Sequence, residues 1–192
     1  LLSVSHGSPR DLMRLSQHLV DRGIAVYRAG SWSLPAHLAA ADLPTSVAQI
    51  LRERVLALSN GARGLAGALA LCPEYGFALD ECLCLTGHEE HARLMQELSE
   101  LAAADVMRMA GERYMLSDPS LVPMLLGELS GAQTSAAHLR LATVFERRGQ
   151  HAQFRAAQHL LRGGQQARAL DIFVAHAIAS QEETDRNPEA FQ

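Results

Sequence analysis

The sequence contains no lysine; all 17 of its basic residues are arginine. A P-loop lysine, a Schiff-base lysine and a Ser-Lys catalytic pair are therefore excluded from these residues. The phosphate-binding pattern G-x-x-x-x-G-K-[S/T] is absent, and no acidic residue ends an apolar strand where a metal-binding partner would stand. Aromatic residues make up only 5%. Cysteines are few and odd in number (Cys72, Cys82, Cys84), unlike a disulfide framework, so a reducing, cytoplasmic setting is expected. No apolar run reaches the roughly 18 residues of a membrane span, and no signal-peptide pattern opens the chain. The chain also starts without Met, which fits an excised segment of a larger protein.

Hydrophobic residues account for 48% and charged residues for 20%, a globular composition rich in Ala and Leu. Both lose little side-chain freedom in a helix, so a mainly α fold is expected. The net charge of −4 gives no electrostatic case for nucleic acid or an anionic membrane.

Cap and period signals divide the chain into elements. Ser8-Pro9 opens a helix bearing Leu12, Leu15 and Leu19, which Gly23 stops. Residues 24–28 and 32–34 read as a short hairpin, and Pro35 to Pro44 as a connector. Helices are expected over about Ser46–Leu58, from an Asn60 cap to Pro73, over Leu79–Thr86 closed by Gly87, and over about Glu89–Ala103. A tight hairpin follows, from Val106–Met109 through Gly111 to Arg113–Leu116. Helices followed by a hairpin give the chain order of a winged helix-turn-helix.

Asp118-Pro119 starts the next helix, after which the pattern is helical throughout. Apolar faces are expected at Ala137, Leu141, Val144 and Phe145, then Phe154, Ala157 and Leu161, then Leu170, Val174 and Ile178. Gly131 and Gly164 stand roughly one tetratricopeptide (TPR) period of about 34 residues apart. Arg148-Gly149-Gln150-His151-Ala152 and Gly163-Gly164-Gln165-Gln166-Ala167 are weakly alike, which suggests stacked helical hairpins. The expected architecture is mainly α: a winged-helix domain with small β-hairpins, followed by TPR-like helical hairpins. Its parts are 1–43, 44–117 (winged helix), 118–180 (helical repeats) and a fraying polar tail at 181–192.

Four stretches resemble a known family. His6-Gly7-Ser8-Pro9 with its helix resembles the Gly-x-Pro segment in the lid of STAND-type (signal-transduction, AAA) ATPases. Trp32-Ser33-Leu34-Pro35 resembles the family's hairpin after that helix. Leu43-Pro44-Thr45-Ser46-Val47, leading to Leu51–Ser59, resembles the start of its winged-helix region. Arg113-Tyr114-Met115-Leu116-Ser117, with the helices from Leu121 and His138, resembles the passage into its repeat arm.

The family includes ATP-dependent transcription regulators and ATPase modules fused to bacterial kinases or cyclases. The resemblance implies a parent protein that binds ATP and Mg²⁺ upstream of this segment. It implies that Gly7 and Pro9 lie near the nucleotide, with Ser8 in place of the family's usual Asn. The segment itself is then non-catalytic and holds no cofactor. It would couple nucleotide state to a helical-repeat arm through contacts with other domains or partner proteins. Two other readings stand beside it: a DNA-binding winged-helix transcription regulator, and a stand-alone TPR-like adaptor.

The third winged-helix helix would be the DNA reader, and its exposed side is expected to carry Glu89, Glu90, Glu97 and Glu100 against Arg93 alone. That face would be repelled by phosphates, which argues against DNA as a partner. Cys82, Cys84, His88 and His91 have metal-ligand atom types, but residues two apart on a helix diverge, and the simpler reading is buried thiols with no metal. His18, His138, His159 and His176 are expected at the surface or edges of helices, and Met107, Met109 and Met115 as hairpin-to-core packing.

Overall fold

The computed structural model describes residues 8–28, 30–35 and 47–186. Those residues are mainly helical, with two small antiparallel hairpins, as composition and period suggest. The chain divides into two units, residues 1–57 and 58–192. The connector expected between Pro35 and Pro44, and the boundary expected at 43–44, fall outside the described residues.

In the first unit, α1 (Pro9–Asp21) begins where Ser8 accepts a hydrogen bond from the Asp11 amide and proline occupies N1. Leu15 and Leu19 are buried on its inner face. His18 is buried with them, against the expectation of a surface residue. It lies one residue before Leu19, on the flank that α1 turns inward. Burial and the neighbouring Arg22 both lower its pKa, which keeps the ring neutral. Strands β1 (Val26–Arg28) and β2 (Ser31–Ser33) form the first hairpin, with Tyr27 opposite Trp32 and their rings 5.2 Å apart. Helix α2 (Val47–Ala57) packs on α1, with Ile50, Leu51 and Val55 buried and Arg22 paired to Glu53 at 3.4 Å.

The second unit is built around α3 (Asn60–Ala70). Ala62, Leu65, Ala66, Ala68, Leu69 and Ala70 are all buried. Small side chains let neighbours approach closely; a Cβ on Gly67 would stand 2.9 Å from the Leu129 methyls. The helix begins one residue earlier than Asn60 suggests, because Ser59 accepts the Ala62 amide at 3.2 Å. Glu100 holds that cap in place, taking the Ser59 amide and, at 2.7 Å, its hydroxyl.

Around α3 lie α4 (Leu79–Thr86) and α5 (His91–Ala103), then the second hairpin, β3 (Met107–Ala110) and β4 (Arg113–Leu116). Phe77 adds a bridge on the outer edge of β4, exchanging both backbone hydrogen bonds with Tyr114 at 2.9 and 2.8 Å. Of the hairpin methionines, Met107 is buried and Met115 half-buried, but Met109 is 64% exposed and does not pack on the core. Alternation along the strand puts 107 and 109 on one face, and only its first residue reaches the helices.

A 3₁₀ turn (Pro119–Leu121) capped by Asp118 leads into α6 (Val122–Gly127). Three longer helices complete the unit: α7 (Gly131–Arg147), α8 (Gln153–Arg162) and α9 (Gln166–Arg186). Ser130 and Gln133 form a reciprocal capping box at the start of α7. Helix α8 packs on both α7 and α9. Its buried side is Ala156, Ala157, His159 and Leu160, meeting Ala142 and Ala169. The face expected at Phe154, Ala157 and Leu161 is therefore rotated, and Phe154 and Leu161 are each 49% exposed. Alanines give the closer helix contact, so they rather than the larger side chains turn inward.

Arg148, just past α7, ties this helical arm to α4. Its guanidinium grips the Glu81 carboxylate twice, at 2.6 and 2.7 Å, and donates to the Gly76 carbonyl at 3.1 Å. It also lies over Phe77 and Phe145, about 5 Å from each ring centre. Burial would raise the Glu81 pKa, but the Arg148 hydrogen bonds, the Ala78 amide and Arg113 outweigh it, and the net shift is downward.

Replacing Glu81 with Gln should cost about 2–3 kcal/mol, since it leaves a largely enclosed guanidinium without its counter-charge. The double variant Glu81→Gln/Arg148→Met should lose clearly less than the sum of the single losses. Urea unfolding midpoints measure both. A single-variant loss under about 0.5 kcal/mol would remove Arg148 as the tie.

Candidate functional site

Of the two residues expected beside a nucleotide, Gly7 lies outside the described residues, and Pro9 is exposed at the first turn of α1. Polar side chains gather instead in the second unit, over the start of α3 and between α3, α7 and α8.

The first is a cleft of about 310 Å³ over the start of α3, walled by the end of α4, by α5 and by α7. Glu97 forms its base. The sequence expectation placed this carboxylate in solvent, but it is 4% exposed. His88 Nε2 faces both of its oxygens at 3.3 Å, and Arg93 Nε donates to it at 3.2 Å. Glycine at 61 makes this possible, because a Cβ there would stand 2.1 Å from the Glu97 Oε1. The carboxylate thus settles at the first turn of α3, where the helix dipole favours negative charge.

Two of the four carboxylates expected on the outer face of α5 are consequently spent inside the unit, Glu97 here and Glu100 on Ser59. Glu89 and Glu90 remain exposed, with exposed Arg93 near them. The outer face is closer to neutral than the sequence suggests, and it carries no cationic stripe.

The second place is a buried polar file. Cys72 Sγ lies 3.1 Å from His159 Nε2, and His159 Nδ1 lies 2.9 Å from His138 Nδ1. Both histidines, expected at the surface, are only 5% exposed. Helical period alone gave no sign of this; Cys72 and His138 meet the two ring nitrogens of His159, and His159 meets Nδ1 of His138. His159 also stacks on Phe145, with centres 5.4 Å apart and planes within 8°. Since opposite nitrogens of His159 face Cys72 and His138, the three side chains cannot converge on one ion.

Burial is the main cause of every shift in this file. It lowers the His159 pKa to about 4, with His138 and Arg162 adding to the effect, and it lowers that of His138. The Cys72 thiol is pushed up to about 11. All three groups are neutral near pH 7, a hydrogen-bonded relay rather than a charged site.

The cysteine–histidine cluster of the sequence is dispersed. Cys82 is fully buried at the core of α4, its thiol raised to about 12 by burial, and Cys84 is partly exposed. His88 turns to Glu97, and His91 is exposed at the start of α5. Among the described residues, no three His, Cys, Asp or Glu side chains are grouped to hold a metal ion. No described helix is long and apolar enough to cross a membrane.

No family model, curated protein or solved structure matches the chain.

The neutral histidines predict a pH response whose sign follows from linkage. The folded pKa of His159 lies below the unfolded value of about 6.5, so the unfolded chain takes up the proton first. Stability should be intact above about pH 6.5 and fall as the pH drops towards 4, by about 2–3 kcal/mol in all. His159→Phe keeps the ring stack; it should flatten most of that slope while lowering stability near pH 7 by about 1 kcal/mol. An unchanged slope in urea unfolding would dismiss the buried ring as its source.

The thiols give a second test. In the native protein at pH 8, Cys72 and Cys82 should react with a disulfide reagent far more slowly than after unfolding in urea. Equal rates would mean that neither is enclosed.

Proposed function

We propose that this chain is a non-catalytic regulatory and protein-interaction segment, with α7, α8 and α9 as its contact arm. One observation carries the reading. Leu170, Val174 and Ile178 stand at i, i+4 and i+8 along α9, and each is more than half exposed. An apolar row at helical spacing, left open on the last of three successively packed helices, suits a further helix or a partner's apolar face. Large exposed side chains of this kind oppose solubility unless something covers them.

The resemblance in the sequence extends the proposal. The segment would belong to a cytoplasmic ATP-dependent signalling protein, with ATP and Mg²⁺ bound upstream and Gly7 and Pro9 nearest the nucleotide. Nucleotide state would bias the packing of the helices, and the arm would transmit that bias by contact. The lack of lysine supports the non-catalytic part, since no phosphate-gripping amine is available. DNA is the weaker alternative, because the outer side of α5 offers no row of cations to neutralise phosphates.

The test has two arms. The gene should encode a Walker-type loop upstream of Leu1, and the isolated chain should hydrolyse ATP only at background rate. In the parent protein, amide exchange along α9 should differ between ATP and ADP, and Leu170→Glu/Val174→Glu should erase the difference without lowering the melting temperature. A gene lacking the loop removes the ATPase link. Equal exchange in both nucleotide states removes the arm's role.

A further inference from the structure

The cleft at the start of α3 holds a charge that no described carboxylate answers. Within the cleft, Glu97 is met by Arg93 and His88. Arg140 also lines the cleft, from the inner side of α7. It donates to the Leu85 carbonyl at 3.3 Å and, among the described residues, pairs with no carboxylate. Its guanidinium lies flat against Gly87, where any Cβ would stand 2.3 Å from Nη2. Gly87 also closes α4 in the left-handed region, at φ +75, which favours glycine, and a Cβ there would displace the guanidinium. Arg140 is thus placed by backbone on two sides, yet keeps most of its five donors for something else.

The rest of the lining selects what that is. Leu65, Leu129, Ala136 and Ala137 supply apolar lining to the cleft, Leu65 and Ala137 from buried positions. At Gly64 there is open space, with nothing within 4 Å of where a Cβ would stand. A planar guanidinium beside an apolar wall matches a carboxylate on an apolar skeleton. The buried Glu97 opposes a dianion such as phosphate, which would bring two charges close to it. A volume of about 310 Å³ falls at the small end of ligand pockets.

We propose that this cleft binds a small monoanionic organic acid, its carboxylate on Arg140 and its apolar body against Leu65, Leu129 and Ala137. The binding site is independent of the α9 surface and of any ATPase link. Because the walls come from α3, α4, α5 and α7, such a ligand would bridge the three-helix part of the unit to the first helix of the arm.

Titration of the whole chain, followed by amide chemical shifts, tests this with three probes: hexanoate, the isosteric neutral hexanamide, and inorganic phosphate. Hexanoate should shift the amides of Leu65, His88, Leu129 and Ala137 saturably, at about millimolar affinity or tighter. Hexanamide and phosphate should bind at least about tenfold more weakly, and Arg140→Gln should lose a similar factor for hexanoate. Gly64→Leu fills the open space and favours the helix, so it should abolish binding while the melting temperature holds or rises. The proposal is overturned if hexanamide or phosphate binds as well as hexanoate. It is equally overturned if Gly64→Leu leaves hexanoate binding unchanged.

Discussion

The second unit depends on where one guanidinium sits. Arg148 follows the last turn of α7, and its side chain is only 17% exposed between the Glu81 carboxylate and the Phe77 and Phe145 rings. A charge so enclosed must be paired, and Glu81 can pair it only from the first turn of α4. Through Gly76, which accepts from both Arg148 and Arg113, the same tie reaches β4. Helices α4 and α7 and the second hairpin are therefore fastened to one carboxylate, with Phe77 bridging to Tyr114 alongside.

The buried histidine file continues outward from that tie. Phe145 meets Tyr75 and Phe77 edge-on and His159 face-on, so the aromatic column runs from the α4 side of the unit into α8. Arg155 lies over Tyr75, its guanidinium 4.5 Å from the ring centre. Of the chain's nine aromatic residues, Tyr75, Phe77 and Phe145 meet here, where the arm joins the helices before it. The arm beyond it relies on a thinner core of Ala142, Ala157, Leu160 and Ala169. On α9, Ala169 belongs to that core while Leu170, Val174 and Ile178 stay exposed.

The cleft over α3 follows from the same use of small residues. Ala and Gly let α3 serve as the central helix, and glycines at 61, 64 and 87 leave space where side chains would otherwise meet. Part of that space is taken by Glu97 and part by the Arg140 guanidinium; the remainder is the cavity. Close packing and an open site thus have one origin, the small residues at the start of α3 and the glycine that ends α4.

Elements defined by local chemistry were readable from the sequence alone. Ser8-Pro9 opens α1, Gly87 closes α4, Asp118-Pro119 begins a turn of 3₁₀ helix, and both hairpins fall where short apolar pairs flank a turn. Those signals act within a few residues, through caps, fixed φ values and strand period, so they need no tertiary partner. Burial of polar groups was not readable. Glu97, His138 and His159 sit on helices whose period allows either side, and each turned inward beside its partners: Glu97 by Arg93 and His88, His159 between Cys72 past the end of α3 and His138 on α7, and His138 by His159. The face of α8 was misread for the related reason that alanines chose the contact and left Phe154 and Leu161 outside. What the amino-acid order determined by itself is the list of elements and their ends; which faces meet, and which charges are satisfied, was decided only when segments far apart in the chain came within hydrogen-bonding distance.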